Sequence, residues 1–343
     1  MVERRAGRSG AGGTGGTREA RQVQGPGDIH RLREEIARLD AILGERTRFL
    51  EGHRQWLRER VAARVGRLRP LRRLSAEQIR EWLGGRSLAG VDGSCNLVGG
   101  PYPHYVAVMA AVARTTRGEE VWAWQVWSPL DRGERLGEEA DEMARRRALS
   151  ALEARVAAEA LERYSPRLLL VDGPLVRLRI EAEREWENLF AQARRQGTLP
   201  VGVIESVGTS VVASLLGDDL PPPWRGAFDR ELLWGLLEPG EMLTVEHPHR
   251  PGLRTCFMRA SQDPAPTGLD FPALVPADEN LEMVADVLYT LTPRGGRGIP
   301  LWVDLVDARV RIEDHVVRAL VESGISRENW LRFLASRRER RPY

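Results

Sequence analysis

Two aspartates stand in the same short motif, each after a run of apolar residues. Asp92 occurs in LAGVDGS and Asp172 in LLLVDGP. Side chains at the carboxyl ends of strands project into the functional crevice of an α/β protein, and a following glycine lets the backbone turn sharply. Two converging carboxylates repel each other unless a cation lies between them, and hard ions such as Mg²⁺ or Mn²⁺ prefer oxygen ligands. The repeated motif therefore predicts a divalent-metal site; the alternative is that each aspartate caps an ordinary turn.

Glu153 is the candidate for a third ligand. It lies in the helical pattern ALSALEARVAAEAL, where a helical projection groups it with Leu149, Ala157 and Ala160. A carboxylate on a face of small apolar residues is costly to bury unless it finds a partner or a metal ion. We therefore expect Glu153 to face the two aspartates, with an ion pair to an arginine such as Arg146 as the alternative.

The segments that carry these residues predict an α/β fold. Their order is strand, hairpin, long helix, strand, which is typical of an RNase H-like core with a mixed central sheet, although a Rossmann variant has a compatible pattern. A long N-terminal helix and a mixed C-terminal extension complete the expected fold. The expected elements are strands at 88–91, 168–171 and 200–207, a hairpin of 105–115 and 120–128, and helices at 138–164 and 178–196.

The N-terminal part of the chain is basic, with 19 arginines against 10 acidic residues in positions 1–80. Residues 1–27 contain almost no large apolar side chain and are expected to be a disordered tail. Residues 28–84 form an N-terminal helical region whose first helix has coiled-coil spacing. This spacing suits a contact with a second copy or a partner, and packing on its own domain is the alternative. The apolar positions of this seam are Ile29, Leu32, Ile36, Leu39, Leu43, Leu50 and Leu57.

Composition excludes several classes of protein. The chain of 343 residues contains no lysine, so all 51 Lys-plus-Arg positions are arginine. Without lysine there is no GxxxxGK[ST] phosphate loop, and any ATP-driven step must come from a partner. Two isolated cysteines exclude a disulfide framework. No apolar run reaches the ~18 residues of a membrane span, and no secretory signal is evident, so we expect no membrane segment and a cytoplasmic location.

Two tryptophans of the expected hairpin could contact nucleic acid. Trp122 and Trp124 are two residues apart and therefore lie on one face of their strand. Aromatic rings on such a face can stack on the bases of single-stranded DNA. Packing in the core is the alternative.

The chain resembles the NurA family, the nuclease partners of the HerA DNA translocase, over residues 85–320. The resemblance implies an RNase H-like nuclease core in which Asp92, Glu153 and Asp172 are catalytic and bind Mn²⁺ or Mg²⁺. It also implies a homodimer that acts beside a HerA-like hexameric ATPase in DNA repair and DNA end resection, as a single-strand endonuclease and 5′ to 3′ exonuclease. The matching segments are VDGS at Asp92, Leu152-Glu153, LLLVDGPL, DRELL from Asp229, LEPGE from Leu237 and IPLWV from Ile299.

A fourth metal ligand is common in RNase H-like sites, and the family's terminal histidine has no counterpart here. Asp304 follows the strand-like run 299–303, which would place it at a strand end. His315 belongs to an expected helix that begins near Ile312, where a surface histidine is the alternative role. A carboxylate suits a hard ion better than imidazole does, which favours Asp304. The alternative is a metal site with only three protein ligands.

The C-terminal part departs from the family pattern. Ile204-Glu205-Ser206 stands where family members usually have a lysine after the strand, and Arg297-Gly298-Ile299 replaces a late Arg-Val-Glu. Residues 321–343 form a basic C-terminal segment. These departures leave an alternative function, a DNA-binding or scaffolding subunit of the same complex with weakened catalysis. RNA as the substrate also stays open.

Overall fold

The computed structural model describes residues 26–131, 137–246, 252–273 and 277–335. The chain divides into two units, residues 1–54 and 55–343. The tail expected at 1–27 lies outside the described residues, apart from Pro26 and Gly27. In the described part of the chain, no helix is both long and apolar enough to cross a membrane.

The first unit contains the long N-terminal helix, α1 (Pro26–Gly52), as the sequence predicts. The apolar side chains of its seam from Ile29 to Leu43 are between 47% and 58% exposed. The seven-residue repeat therefore forms an apolar stripe that is open along this helix.

The second unit is built on one nine-stranded sheet with the order β1-β7-β8-β9-β6-β5-β2-β3-β4. The neighbours β2 and β5 are parallel, as are β5 and β6, and the other pairs are antiparallel. This mixed sheet confirms the expected α/β class. The strands are β1 (Gly66–Pro70), β2 (Leu88–Gly99), β3 (Tyr105–Thr115), β4 (Glu120–Trp127), β5 (Leu168–Asp172), β6 (Leu199–Ile204), β7 (Glu241–Val245), β8 (Leu253–Arg259) and β9 (Thr267–Pro272).

Helices cover both faces of the sheet. One face packs against α4 (Glu138–Tyr164), α5 (Leu175–Glu181) and α6 (Glu183–Gln196), in a core cluster that includes Val91, Val171, Leu152 and Val156. The other face packs against α9 and α10. The helices of this unit are α2 (Arg54–Arg64), α3 (Ala76–Leu83), α4 (Glu138–Tyr164), α5 (Leu175–Glu181), α6 (Glu183–Gln196), α7 (Val211–Leu216), α8 (Asp229–Leu233), α9 (Ala277–Leu291), α10 (Leu301–Val310), α11 (Asp314–Gly324) and α12 (Arg327–Asn329).

The unit extends beyond residues 85–320 at both ends. On the N-terminal side, Leu57 and Val61 of α2 are buried, and β1 pairs with β7. On the C-terminal side, Val321 and Leu334 pack with Val98 of β2. Part of the expected helical region and part of the expected C-terminal segment therefore belong to the folded body.

Two strand predictions need correction. β2 does not end at the Asp92 motif but continues to Gly99, because β3 pairs with it along its whole length. The run 299–303 is not a strand: α10 begins at Leu301, directly after Pro300. The buried apolar residues of α10 follow helical spacing, at Val303, Val306 and Val310. The prediction of a strand was wrong because a short apolar run does not distinguish a strand from a buried helix.

Candidate active site

Asp92 and Asp172 are neighbours on the two parallel strands at the centre of the sheet. Val91 pairs with Val171, so the aspartates are the next residue of each strand. Side chains alternate along a strand, and the two valines face α4, so both carboxylates lie on the face that α10 covers. Ser94, two residues further along β2, donates a hydrogen bond to the carbonyl of Val310 in α10 at 3.0 Å, which agrees with this direction.

The two Asp-Gly pairs serve different purposes. Gly173 has a φ of 84°, so the backbone after Asp172 makes the sharp turn that the motif predicts. Gly93 is instead part of the continuous strand β2. A Cβ at Gly93 would lie 2.7 Å from Oε1 of Glu153. The missing side chain therefore allows Glu153 to approach the sheet from α4.

Glu153 reaches the aspartates from the opposite face, and it is almost fully buried, with 3% exposure. Burial raises the pKa of Asp92 most, and the negative charge of Glu153 raises it next. The structure thus brings the three residues Asp92, Glu153 and Asp172 together, where β5 ends and β2 continues.

Arg177 of α5 is bound to this cluster, and no motif in the sequence predicts it. Its Nη2 donates to Oε2 of Glu153 at 2.5 Å and to the carbonyl of Asp172 at 3.2 Å, while its Nη1 donates to Oγ of Ser150 at 2.9 Å. Ser150 in turn donates to Oε2 of Glu181 at 2.5 Å. The expected alternative partner of Glu153, Arg146, is instead bonded to Glu142.

Asp307 of α10 is a fourth carboxylate at the site. Besides the larger effect of burial, its negative charge raises the pKa of both Asp92 and Asp172. It also forms an ion pair with Arg311, one turn further along, at 2.7 Å. Asp307 is not among the candidates that the sequence pattern gives, because a strand at 299–303 places only Asp304 at its end. A helix over this segment places Asp307 one turn from Asp304.

The two expected fourth ligands have other partners. Asp304 is held by Arg297, which also bonds both carboxylate oxygens of Glu205 at 2.9 Å. His315 is exposed on α11, with its Nδ1 3.0 Å from Oε2 of Glu313. The structure does not bring His315 to the carboxylate cluster, because α11 packs on the far half of β2, against Val98.

Burial raises the pKa of three carboxyls of the site, Asp92, Glu153 and Asp172. Burial raises the pKa of Asp92 to about 7, with further contributions from Glu153, Asp172 and Asp307. Burial also raises the pKa of Glu153 and of Asp172, although the Arg177 guanidinium opposes both shifts. A group of buried carboxyls with raised pKa values is typical of a functional site.

The residues suit a hard divalent ion by chemistry, since all four carboxylates offer oxygen ligands. Among the described residues, however, no three acidic, histidine or cysteine side chains lie close enough to form a ready-made metal site. Glu153 is engaged by Arg177, and Asp307 is engaged by Arg311. Asp92 and Asp172 are therefore the carboxylates through which a cation could be held while both of these ion pairs persist.

Trp122 and Trp124 stack on each other at the edge of the sheet. Their ring centroids lie 5.2 Å apart and their planes differ by 4°. Trp122 packs with Val306 and Val310 of α10 and lies under Arg309. Trp124 is 57% exposed, so it is not part of the core and presents a ring to solvent.

A model of the NurA domain matches residues 86–312, well over half of the chain, and the chain therefore belongs to the NurA family. The crystal structure of the NurA nuclease from Sulfolobus solfataricus is similar, with a TM-score of 0.56 and 13% identity over 87% of this chain and 98% of that one. A crystal structure of NurA bound to dAMP and manganese has a TM-score of 0.55 and 11% identity over 87% of this chain and 99% of that one. Comparison with curated protein sequences finds no significant match. The family and the shared fold together support a nuclease.

Proposed function

We propose that this protein is a divalent-metal-dependent DNA nuclease. The observation that carries the proposal is the convergence of four carboxylates, Asp92, Glu153, Asp172 and Asp307, from strands and helices on both faces of the sheet. Repulsion among buried carboxylates is relieved when a proton, an arginine or a cation neutralises them, and a divalent cation is the one of these that also assists phosphodiester hydrolysis. The NurA structure bound to dAMP and manganese supports a divalent cofactor in this family, either Mn²⁺ or Mg²⁺.

The carboxylates have distinct tasks in this proposal. Asp92 and Asp172 would hold the cation at the centre of the site, and Asp307 would complete the ligand set from α10. Bound Mn²⁺ or Mg²⁺ would lower the pKa of an attacking water and stabilise charge on the scissile phosphate. Arg311 beside Asp307 has a side chain that is 71% exposed and would contact the DNA backbone.

The ligand from α10 is proposed to be Asp307 rather than Asp304. Each of the two residues is paired with an arginine, Asp307 with Arg311 and Asp304 with Arg297, but it is the charge of Asp307 that acts on the pKa of the two central aspartates. His315 would bind a cation only if α11 moved. Asp304 and His315 therefore serve as comparison positions for Asp307.

The biological setting is proposed from the family. The chain has no lysine and so no phosphate loop, which agrees with a HerA-like hexameric ATPase as the motor that supplies DNA. The proposed role is DNA end resection in DNA repair in the cytoplasm, with single-strand endonuclease and 5′ to 3′ exonuclease activity. The open seam of α1 supports a homodimer, because an apolar stripe of this length is stable when a second helix covers it.

Single-stranded base stacking is proposed for the tryptophan pair. Trp124 offers an exposed ring parallel to Trp122, and every base has a face that can stack on such a ring. Replacing Trp124 by Ala should weaken binding of single-stranded DNA more than binding of duplex DNA.

The test is cleavage of end-labelled linear DNA, circular single-stranded DNA and RNA, each with Mn²⁺, Mg²⁺ or EDTA. We expect DNA cleavage with a divalent ion and none in EDTA. Asp92→Asn and Asp172→Asn should abolish cleavage, whereas Asp218→Asn, at a side chain that is 94% exposed, should not. DNA binding without cleavage under all conditions would instead support the scaffolding subunit, and cleavage of RNA alone would change the substrate class.

A further inference from the structure

A large cavity lies at the opposite end of the central strands from the carboxylates. It has a volume of about 880 Å³. Its walls include Arg167, directly before β5, and Thr198, directly before β6, whereas Asp172 ends β5. Five residues of extended strand separate Arg167 from Asp172, roughly 16 Å. This cavity is therefore distinct from the candidate active site.

Aromatic rings form much of the apolar wall of the cavity. Trp186 and Phe190 of α6 contact each other, with ring centroids 3.7 Å apart. Trp82 of α3 lies under the guanidinium of Arg167, whose Cζ is 4.7 Å from the ring centroid. All three rings are partly exposed. They are therefore accessible to a flat ligand within the cavity.

Positive charge dominates the polar part of the wall. The lining contains four arginines and a single acidic residue, Glu187; the arginines are Arg86, Arg167, Arg179 and Arg194. Arg86 donates to the carbonyls of Ser165, Pro166, Gln196 and Gly197, which bear no net charge. Across the described ranges, neither Arg86 nor Arg167 forms an ion pair with a carboxylate. Burial lowers the pKa of Arg86, and the nearby Arg167 lowers it further.

The positive charge of Arg167 acts on Arg86, and among the described residues neither guanidinium pairs with a carboxylate, which favours an anion at this wall. Because Arg86 already donates to four carbonyls, the hydrogen bonds to that anion would come mainly from Arg167 and Arg194. Phosphate is the anion that best matches several arginines, because it accepts multiple charge-assisted hydrogen bonds. The adjacent rings provide a stacking surface for a base. A volume of this size is within the usual range of small-ligand pockets, which is roughly 300–1,000 Å³.

We propose that this cavity binds a nucleoside phosphate, with the base against Trp82, Trp186 or Phe190 and the phosphate on the arginines. Two sources of this chemistry are relevant: a deoxynucleoside monophosphate released from DNA, and a ribonucleotide such as ADP or ATP. The proposal does not depend on catalysis at Asp92 and Asp172.

Calorimetric titration of the full-length protein in EDTA tests the proposal, since EDTA removes metal-dependent binding at the carboxylates. The titrants are dAMP, ADP, ATP, deoxyadenosine and inorganic phosphate. We expect one nucleotide to bind per chain, at least about tenfold more tightly than deoxyadenosine or phosphate alone. A preference for dAMP identifies a product site, and a preference for ADP or ATP identifies a site that senses the energy supply.

Matched variants locate the binding. Arg167→Ala and Arg194→Ala should each weaken nucleotide binding about tenfold or more. Arg195→Ala, at an exposed neighbour on the same helix outside the cavity, should leave it unchanged, as should Asp172→Asn. Thermal unfolding of each variant checks that the fold is intact. A further variant, Trp186→Leu, tests whether the base stacks on the aromatic rings of the cavity.

Three results would overturn the proposal. One is no saturable binding of any nucleotide at millimolar concentration. Another is binding that Asp172→Asn abolishes and Arg194→Ala leaves unchanged, which would place the nucleotide at the carboxylates. The last is that Arg167→Ala weakens binding of single-stranded DNA while the wild-type protein binds no mononucleotide. None of these results measures metal-dependent cleavage of DNA, which is assayed separately, so failure here is distinguishable from failure of the nuclease proposal.

Discussion

The guanidinium of Arg177 lies 2.5 Å from Oε2 of Glu153, and it neutralises the most deeply buried carboxylate of the site. Its other contacts, to Ser150 and to the carbonyl of Asp172, fix its position between α4 and the end of β5. Arg177 therefore supplies the positive charge beside Glu153, the charge that the proposed cation would otherwise supply.

Replacing Arg177 by Gln should destabilise the metal-free protein by about 3 kcal/mol, because it leaves the Glu153 carboxylate buried without its ion pair. Added Mn²⁺ should then raise the melting temperature of Arg177→Gln more than that of the wild type. Differential scanning fluorimetry in EDTA and in Mn²⁺ measures both effects. Arg155→Gln is the control, since Arg155 is exposed on the same helix as Glu153. Equal stabilisation of the wild type and Arg177→Gln by Mn²⁺ would contradict the idea that a cation can replace the positive charge of Arg177.

The raised pKa of Asp92, about 7, makes the metal-free protein less stable as pH rises. An aspartate in an unfolded chain has a pKa of about 3.9, so between pH 4 and 7 the folded state binds the additional proton. The free energy of unfolding should therefore fall across this window, by up to about 4 kcal/mol from this group. Asp92→Asn should lack this contribution, and it should be the more stable protein at pH 8 in EDTA.

Urea unfolding of wild type and Asp92→Asn from pH 4 to pH 8 measures the difference. A constant difference in unfolding free energy over this range would contradict the assignment. Metal binding should show the reverse dependence, because Mn²⁺ and a proton compete for the same oxygens. Mn²⁺ affinity should therefore rise as pH increases through 7.

Asp307→Asn should reduce Mn²⁺ affinity and cleavage rate, each by about tenfold or more. Asp304→Asn is the matched control, three residues earlier on α10, and His315→Ala is a second control. Both should keep cleavage within about twofold of the wild type, since their contacts are to Arg297 and Glu313. Calorimetric titration with Mn²⁺ and initial cleavage rates provide the two readouts. Loss of affinity in Asp304→Asn with none in Asp307→Asn would reverse the assignment of the fourth ligand.

The central part of this site could be predicted from sequence because it depends on local pattern. Apolar runs followed by aspartate identify neighbouring strands, and the small residues around Glu153 indicate a helix that packs closely on the sheet. The close approach at Gly93 and the ion pair of Arg177 could not be predicted, since each depends on how α4 and α5 are placed across the sheet. Asp307 was missed for a local reason, namely that a short apolar run has no decisive period.

The α1 seam leads to a prediction about assembly. Replacing Ile36 and Leu43 by Glu places charge on the apolar stripe, and it should dissociate a dimer that forms through this helix. Ala37→Glu is the control, because Ala37 lies on α1 one position away from the seam. Deleting residues 1–54 removes the first unit and leaves the second, which begins at Gln55. Light scattering should give a monomer mass for the double variant and the deletion, and a dimer mass for Ala37→Glu. A dimer that survives the deletion would show that the second unit itself carries the interface, and α1 would then be free to bind the ATPase.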